Sequence, residues 1–488
     1  MRANSYSGVI MDPVHGSIQL FDHERKIIDH PLFQRLRFIN QNDVLSLVFP
    51  GATHTRFAHS IGAMHVSQKI WDGILNQNVR YRQIKKIPTR AAEDALIYLN
   101  KCVRMAILMH DCGHGAFSHQ LENTPGIQKI LAEGRLFTVL WKDADFSKYY
   151  SKVPTEICHE HYSVRAAQKI LTDVICEEDQ ICIEDVLSIM ETTDTNVSAR
   201  FNDACVKASI YFMGLRDWVD SKTNVVEPML NLLRCFISCE FDADKGDYML
   251  RDSMFSGGDY GHYNLDSILH NFSTSEEGHW FGLVLNRKGL GALEDFVLSR
   301  YQMYRQIYNH KTANGFELLI QMAIDEILES RETLEYVEQC LSSIDDFADL
   351  VDGYFWGEFR RYAKMNKNSA CSAILNRRPM KFLLAIESVC NGKESPSTSS
   401  LINEKRKEQA EALGVPVEQI VYSTNNIRFS KINDKYITIK VRDVHPISGE
   451  VRLRKISDMS PFFSRFENID VTHLYHCPWI SSRSGNSQ

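Results

Sequence analysis

The chain has 488 residues, of which 44% are hydrophobic, so it can bury a sizeable core, and a prior of about 150 residues per domain suggests two or three units. Its formal charge of −7 excludes a global basic surface for nucleic acid, so that polyphosphate binding would require local clusters of arginine and lysine. Its twelve cysteines form no CxxC pair, and we recognise neither a signal peptide nor an apolar run long enough to span a membrane. We therefore expect a cytoplasmic protein with reduced thiols.

Helical periodicity dominates from about residue 27 to residue 328, with apolar residues recurring at intervals of three and four. The polar segment Asn391–Ser400 reads as a linker, and Gln419–Tyr422 and Tyr436–Val441 predict short strands after it. We therefore expect a mainly α fold. Its predicted parts are an all-helical catalytic core at 1–330, a helical extension and linker at 331–400, and a small α+β lobe at 401–488 for regulation or oligomerisation.

The clearest functional signal is the dipeptide His110-Asp111. It follows the apolar, helix-compatible run Ala95–Met109, and two more histidines, His114 and His119, come close behind it. If the pair only ended a helix, the helix dipole would stabilise the histidine but destabilise the aspartate, because it disfavours a carboxylate near a C-terminus. A bound cation would supply the partner that Asp111 needs.

Two distant residues, His59 and Asp244, extend this pair to a mixed ligand set. Two imidazoles and two carboxylates suit a divalent transition ion such as iron, manganese, nickel or zinc. Such an ion lowers the pKa of bound water to about 7 and binds phosphate oxygens, which is the chemistry of a phosphohydrolase. On its own His59 carries no such meaning, because a histidine inside an amphipathic helix is more often a core or surface residue.

The segment Phe241–Asp252 is the second strong signal. Helical spacing puts Asp244, Tyr248 and Asp252 on one stripe, with Lys245 beside it. One carboxylate can complete a metal shell while the lysine reaches a phosphate and the tyrosine packs on a sugar. A solvated, charged helix face is the alternative interpretation.

Two more segments leave similar alternatives open. His159–His161 can supply an acid, a base or a second metal position, and it can equally be a polar loop cluster. Arg300, Tyr304 and Tyr308 form a basic and aromatic helix face that suits a nucleotide. The same face is also typical of a surface helix with snorkelling cations.

Five motifs occur in a fixed order, and they are Asp12–Gly16, Pro31–Arg37, Phe49–Gly62, His110–His119 and Asp242–Asp252. Together they resemble the HD-superfamily deoxynucleoside-triphosphate triphosphohydrolases. The likeness covers roughly residues 9–320 well and the last 90 residues loosely. It is nearest to the branch whose animal enzyme carries an added sterile-alpha-motif domain, which we expect to be absent because the core begins near Val9.

The resemblance implies a mechanism. A metal-bound water attacks the α-phosphorus of a dNTP, releasing deoxynucleoside and inorganic triphosphate, with a magnesium-type ion on the phosphates. By resemblance, the catalytic metal is bound by His59, His110, Asp111 and Asp244. By the same resemblance, His119 is the general acid, and the phosphates or the water are contacted by His114 and His159 with Glu160 in support.

The resemblance also assigns the substrate contacts. The triphosphate is neutralised by Arg56, Lys245 and Arg300, as charge-matched phosphate contacts should be. The sugar is held by Tyr248, Asp252 and Tyr308, with Gln41 near its hydroxyl group. A tight fit around C2′ would disfavour ribonucleotides.

Some relatives are activated by guanine nucleotides that assemble a tetramer. The resemblance therefore implies a GTP, dGTP or dNTP activator and a homo-oligomer, either dimer or tetramer. By resemblance, the residues that recognise the guanine base of the activator in these relatives correspond to Asp29, Gln34 and Arg37. Two departures bear on the activator requirement and the base preference: Gly8 replaces a lysine, and Asn42–Ser46 replaces a glycine-rich stretch.

Two other functions stay open. One is a different HD phosphohydrolase, acting on a cyclic dinucleotide, a guanosine alarmone or a nucleoside monophosphate. Arg56, Lys245 and Arg300 argue against it, since a triphosphate needs more cations than a monophosphate. The other is a catalytically silent nucleotide sensor, against which the intact ligand set argues. The acidic balance gives no support to nucleic-acid binding.

Overall fold

The structure is a computed structural model that describes most of the chain. The described residues are 6–81, 89–132, 146, 157–190, 196–213, 225–277, 280–390, 396–427, 439–445, 447–465 and 468–479. In this part of the chain, helices dominate, so the prediction of a mainly α fold is confirmed. None of the helices described is long and apolar enough to cross a lipid bilayer.

Helices α1 to α20 span, in chain order, Asp22–Ile28, Pro31–Gln34, Arg56–Tyr81, Arg90–Met109, His119–Asn123, Pro125–Leu131, His159–Val174, Ile183–Met190, Ala199–Phe212, Val226–Arg234, Ala243–Ser256, Leu265–Leu269, Leu290–Met303, Lys311–Leu328, Arg331–Ser342, Asp352–Met365, Ala370–Leu375, Pro396–Leu413, Ile456–Met459 and Pro461–Arg465. Strands β1 to β9 span Gly8–Asp12, Gly16–Leu20, Phe272–Glu277, Trp280–Asn286, Lys381–Cys390, Ile420–Ile427, Lys440–Val444, Val451–Lys455 and Asn468–His476.

Helix α4 is the centre of the helical core. Thr89 caps its N-terminus by accepting a hydrogen bond from the backbone N–H of Ala92. Its second half is apolar nearly all round, and every side chain from Cys102 to Met109 is almost completely buried. A helix without a polar face has to lie inside a fold. Helices α3, α8 and α9 pack against it, so its C-terminus ends within the protein.

Two glycines allow the close approaches that bring the functional motifs together. A Cβ atom on Gly62 of α3 would lie 1.9 Å from Oδ1 of Asp247 on α11. A Cβ atom on Gly113, in the turn after α4, would lie 2.1 Å from the carbonyl oxygen of His159 on α7. Only glycine fits at such distances. Both glycines belong to the motifs read from the sequence, and they hold α3 against α11 and the turn against α7.

The strands form three small sheets in the described residues. Strands β1 and β2 are an antiparallel hairpin. Strands β3, β4, β7 and β8 pair in that order, and the β4–β7 pair is parallel. Strands β5, β9 and β6 form an antiparallel sheet with β9 in its centre.

The structure corrects three details of the sequence interpretation. The core at 1–330, predicted to be all-helical, also contains strands β1 to β4, short segments that become strands because they pair with each other as hairpins. The segment Pro396–Ser400, predicted as part of a linker, is the first turn of α18, where a proline is well tolerated because its missing N–H needs no partner. The predicted helical extension at 331–400 also contains β5, whose central apolar run fits a buried strand as well as a helix. Residues 391–395 and the first half of the predicted strand Tyr436–Val441, residues 436–438, lie outside the described residues, while Lys440 and Val441 begin β7.

The domain boundaries at residues 330 and 400 stay predictions. Strands on both sides of residue 400 share each of the two larger sheets: β4 pairs with β7, and β5 pairs with β9. The last 90 residues are thus joined to earlier parts of the chain by backbone hydrogen bonds.

Candidate active site

His59, His110 and Asp244 offer ligand atoms that lie within 4.8 Å of one another, and Asp111 lies beside them. We call these four residues the metal centre. Three different parts of the helical core supply them. His59 lies in the first turn of α3, His110 is the C-cap of α4, Asp111 follows it, and Asp244 lies in the first turn of α11. Oδ1 of Asp244 is 3.0 Å from Nε2 of His59 and 3.6 Å from Nε2 of His110. Oδ1 of Asp111 is 3.3 Å from Nε2 of His110.

The imidazoles of the metal centre are oriented by partners behind them. Nδ1 of His59 lies 2.8 Å from Oδ2 of Asp247, and Nδ1 of His110 lies 2.6 Å from the carbonyl oxygen of Ile107. Each Nδ1 therefore carries the proton, which leaves the lone pair of Nε2 directed into the centre. Both Nε2 atoms are buried and make no aligned hydrogen bond within the described residues.

This donor set fits a divalent transition ion. Two neutral imidazoles and two carboxylates are the mixed nitrogen and oxygen ligands that such ions prefer. Burial alone lowers the pKa of His59, but the neighbouring carboxylates of Asp244 and Asp247 raise it to about 10. The surrounding carboxylates therefore favour a cation at this point, and a metal ion satisfies them as a proton does.

Asp247, to which the sequence interpretation gave no role, lies behind His59 and contacts several buried side chains. Both of its carboxylate oxygens accept hydrogen bonds from Arg251 at 2.8 Å, and Nε2 of His15 lies 2.7 Å away. Arg251 also pairs with Asp12 at 2.9 Å. Burial alone raises the pKa of Asp247, but Arg251 and the two histidines lower it well below its ordinary value. Its spacing of three residues from Asp244 is the signal that could have revealed it.

The metal centre opens into a pocket of about 840 Å³. This volume is within the range of small-molecule sites. His59 lies behind the wall, fully buried. The predicted site residues that line the pocket are Gln41, Arg56, His110, Asp111, His114, His119, His159, Glu160, Asp244, Lys245, Tyr248, Asp252, Arg300 and Tyr308.

Three buried cations line this pocket. Arg56 donates from its NH1 group to Oδ2 of Asp111 at 2.5 Å and from Nε to the Ser118 hydroxyl at 2.7 Å. The ammonium group of Lys245 contacts the carboxylate of Asp242, the N-cap of α11. The guanidinium of Arg300 lies 4.9 Å from the centre of the Tyr304 ring. Each cation is thus held in position before any ligand binds.

His114, His119 and His159, which we call the histidine triad, lie beside the metal centre. The His114 and His159 rings are stacked with their centroids 3.9 Å apart. Oε1 of Glu122 is 2.9 Å from Nδ1 of both His119 and His159. Burial alone raises the pKa of Glu122, but the hydrogen bonds from these histidines lower it far below its ordinary value. Sequence reasoning missed Glu122, although it lies one helical turn after His119.

A strained turn presents His119 to the pocket. Phe117 and Ser118 both have positive φ, of 52° and 53°, which is costly for residues other than glycine. The backbone N–H of Phe117 donates to Oδ1 of Asp352 at 2.7 Å, and the Ser118 hydroxyl donates to the carbonyl oxygen of Asn40 at 2.7 Å. These contacts hold the turn, so His119 begins α5 at the pocket edge.

The other end of the pocket carries hydroxyl and carboxyl groups. The Tyr308 hydroxyl donates to Oδ2 of Asp252 at 2.7 Å, while Nε2 of His54 lies 2.6 Å from Oδ1 of the same carboxylate. The segment Tyr304–Tyr308 is a π-helical turn, a feature that is frequent at functional sites.

Asp43 and Glu317 also line the pocket, and the sequence interpretation gave neither a role. Burial, reinforced by the nearby Asp43, raises the pKa of Glu317 to about 8. Asp43 lies in the segment Asn42–Ser46.

The predicted activator residues lie apart from this pocket. Arg37 donates from Nε to Oε1 of Gln34 at 2.8 Å and stacks over the Phe57 ring at 3.5 Å. Asp29 is the exposed C-cap of α1. The structure therefore brings Gln34 and Arg37 together on a surface of the core.

The chain is similar to several known proteins. The sequence model of the family described as "HD associated region" matches residues 268–444. The deoxynucleoside triphosphate triphosphohydrolase SAMHD1 of Gallus gallus is 27% identical over 358 residues, which are 71% of this chain and 51% of that protein. An uncharacterised protein of Methanocaldococcus jannaschii is 28% identical over 342 residues, or 70% of this chain and 53% of that protein. The chain thus spans about half the length of these relatives.

The fold is also shared with solved structures. A phosphohydrolase from Bacteroides thetaiotaomicron superposes with a TM-score of 0.63 at 20% identity, over 96% of this chain and 99% of that one. At this identity the likeness shows the fold alone. The chain is thus similar in sequence to deoxynucleoside triphosphate triphosphohydrolases and to the HD associated region, and it shares its fold with a phosphohydrolase.

Proposed function

We propose that this protein hydrolyses deoxynucleoside triphosphates to deoxynucleoside and inorganic triphosphate. One observation carries the proposal: a single pocket holds a transition-metal ligand set, three cations for phosphates and an aromatic, hydroxyl-bearing end for a sugar. That a relative is named a deoxynucleoside triphosphate triphosphohydrolase supports the substrate class.

The metal centre is proposed to hold the catalytic ion. A divalent ion such as iron, manganese, nickel or zinc, bound by His59, His110, Asp111 and Asp244, supplies a Lewis acid that lowers the pKa of bound water to about 7. The chain keeps these ligands ready, because Asp247 and the Ile107 carbonyl oxygen fix the imidazole tautomers.

The cations are proposed to bind the triphosphate, with a magnesium-type ion on its outer oxygens. Arg56 lies beside the metal centre, so its guanidinium can stabilise the negative charge that develops at the α-phosphate. Lys245 and Arg300 line the same pocket and suit the β- and γ-phosphates. Three buried cations exceed the need of a nucleoside monophosphate, which argues against the rival HD reactions.

His119 is proposed to protonate the departing 5′ oxygen of the deoxynucleoside. Its Nδ1 faces Glu122, which stabilises the imidazolium and leaves the Nε2 proton available for transfer. His114 and His159 are proposed to contact the phosphates or the attacking water, with Glu160 in support. These two rings stack, so each restricts the orientation of the other.

The sugar is proposed to lie against Tyr248, Asp252 and Tyr308, with Gln41 near its hydroxyl group. Asp252 accepts from Tyr308 and faces His54, so its carboxylate is fixed before the sugar arrives. A fixed acceptor and a closely packed tyrosine favour a 3′ hydroxyl and leave little room at C2′, which would select against ribonucleotides.

Regulation by a nucleotide is part of the proposal. Gln34 and Arg37, with Asp29 nearby in the chain, are proposed to read a guanine base of a GTP, dGTP or dNTP activator in a dimer or tetramer. Their hydrogen-bonded arrangement supports a preformed site.

Product analysis tests the reaction class. The purified chain is incubated with manganese, magnesium and each dNTP, and phosphorus products are identified by ³¹P NMR. Tripolyphosphate with free deoxynucleoside is expected, since water attack at the α-phosphorus breaks the bond between that phosphorus and the 5′ oxygen. Orthophosphate or pyrophosphate would refute the proposal in favour of another HD reaction. Absence of product from single dNTPs and from their mixture would favour the sensor.

A further inference from the structure

The histidine triad has the arrangement of a second metal-binding site. One ring nitrogen from each of His114, His119 and His159 lies within 4.8 Å of the other two. Three imidazoles that leave one coordination position open are a ligand set that zinc uses in proteins. We infer that the triad binds a second transition-metal ion, such as zinc, beside the metal centre, and that this ion inhibits the enzyme.

Glu122 prepares two of these ligands. Its Oε1 lies 2.9 Å from Nδ1 of both His119 and His159, and its Oε2 accepts from the backbone N–H of His159 at 3.1 Å. With both Nδ1 protons directed to one carboxylate, the Nε2 atoms are left with free lone pairs. This is the carboxylate–histidine–metal arrangement that fixes ring orientation and raises ligand basicity in metalloproteins.

His114 offers the third ligand. Its side chain is only 3% exposed, and its Nδ1 is buried without a hydrogen-bond partner within the described residues. A buried polar atom without a partner is costly unless something binds it. A metal ion in the triad would satisfy this nitrogen.

The triad is also accessible from solvent. The His119 side chain is 52% exposed, so an ion can enter and leave without unfolding of the core. The metal centre lies deeper, with His59 fully buried. We therefore expect the triad to bind its ion more weakly and exchange it faster.

The inhibitory effect rests on the proposed function, whereas metal binding does not. A lone pair of His119 that coordinates an ion cannot carry the proton needed by the departing 5′ oxygen. Occupation of the triad would therefore remove the general acid while leaving the metal centre intact. Zinc would therefore inhibit hydrolysis reversibly.

Zinc binding to this chain tests the site directly. Crystals of the wild-type chain are soaked in zinc chloride without nucleotide, and anomalous difference maps are collected at the zinc edge. Two peaks are expected, one at the metal centre and one bounded by His114, His119 and His159. A single peak at the metal centre at saturating zinc would overturn the proposal.

Variants then separate the two sites in solution by equilibrium dialysis and elemental analysis. Glu122→Gln should weaken the second zinc about 10–100-fold, the usual effect of losing a partner behind a ligand, and leave the first unchanged. Asp111→Ala should lose the first zinc and retain the second. The exposed Glu335→Gln serves as the control and should bind two. Equal zinc affinity of Glu122→Gln and wild type would contradict the assignment.

The inhibitory role has its own test, which distinguishes its failure from that of the proposed function. With manganese in the metal centre, zinc should slow dNTP hydrolysis at a concentration that matches the dissociation constant of the second site. Glu122→Gln should need about 10–100-fold more zinc. Two bound ions with no dNTP cleavage would refute the proposed function and leave the site standing. Two bound ions with undiminished cleavage would overturn the inhibition.

Discussion

The metal centre and the histidine triad share one pocket but are built differently. In the metal centre, His59 is fully buried and each imidazole has its own partner, Asp247 or the Ile107 carbonyl oxygen. In the triad, His119 is half exposed and shares one carboxylate, Glu122, with His159. Buried, individually fixed ligands suit permanent binding of an ion. Exposed groups with a shared partner suit a proton or an exchangeable ion, because they can be rearranged without repacking the core.

Loss of a ligand from the metal centre should have the largest effect. We expect Asp111→Ala to abolish both turnover and the tightly bound metal ion, because the variant loses one of the two carboxylates of the ligand set. Elemental analysis of the purified protein and a dNTP assay check this. Asp259→Ala removes a fully exposed carboxylate and should change neither. Retained activity in Asp111→Ala would remove Asp111 from the metal centre.

Loss of the exposed member of the triad should be less severe. We expect His119→Ala to keep the metal ion and nucleotide binding but slow turnover about a hundredfold or more, as for other positioned acids. Single-turnover rates measured at saturating dNTP check this. The exposed His262→Ala, outside the pocket, is the control. Turnover equal to wild type would exclude His119 as the acid, and loss of the metal ion would show that the two regions are not separate.

Replacement of Asp247, the partner behind His59, tests whether holding this imidazole by its own hydrogen bond strengthens metal binding. Asp247→Asn keeps the side-chain shape but removes the charge that holds Nδ1 of His59 and pairs with Arg251. We expect metal affinity to fall about 10–100-fold while turnover at saturating metal changes less. Competition with a chelator gives the affinity, and Asp203→Asn on an exposed helix face is the control. An unchanged affinity would mean that burial alone orients His59.

The smallest expected effect is that of replacing Glu317, a carboxyl group of the pocket that has no close cation among the described residues. The folded-state pKa of Glu317, raised to about 8, lies above the unfolded value of 4.5. Its contribution to stability is therefore fully present below about pH 4.5 and is lost as the pH rises through 8. Glu317→Gln removes this dependence, so the variant should gain stability relative to wild type between pH 5.5 and 8.5.

Urea unfolding at these two pH values measures that difference. Glu335→Gln, on the exposed face of α15, should follow the wild type at both. If Glu317→Gln and wild type respond identically to pH, Glu317 is ionised in the folded protein and does not carry a raised pKa.

Much of the fold could be predicted from the sequence, and some of it could not. The periodicity that predicts helices is a local property, and α4 begins at its Thr89 cap and ends where His110 follows the apolar run. Strand β5 was missed because its apolar run, Phe382–Ile386, pairs with β9 from the end of the chain. A short apolar run has no period that separates a strand from a helix, so the distant partner decides.

The candidate site divides in the same way. The sequence by itself determined the prediction of which side chains carry the chemistry, because metal ligands, acids and cations have to be of particular residue types in recognisable motifs. Only the tertiary structure decided how they are held. Asp247 is 188 residues from His59, and Glu122 is 37 residues from His159, so neither pairing leaves a local pattern. Hydrogen bonds at 2.8 and 2.9 Å depend on close approach of separate helices, and packing alone creates that approach.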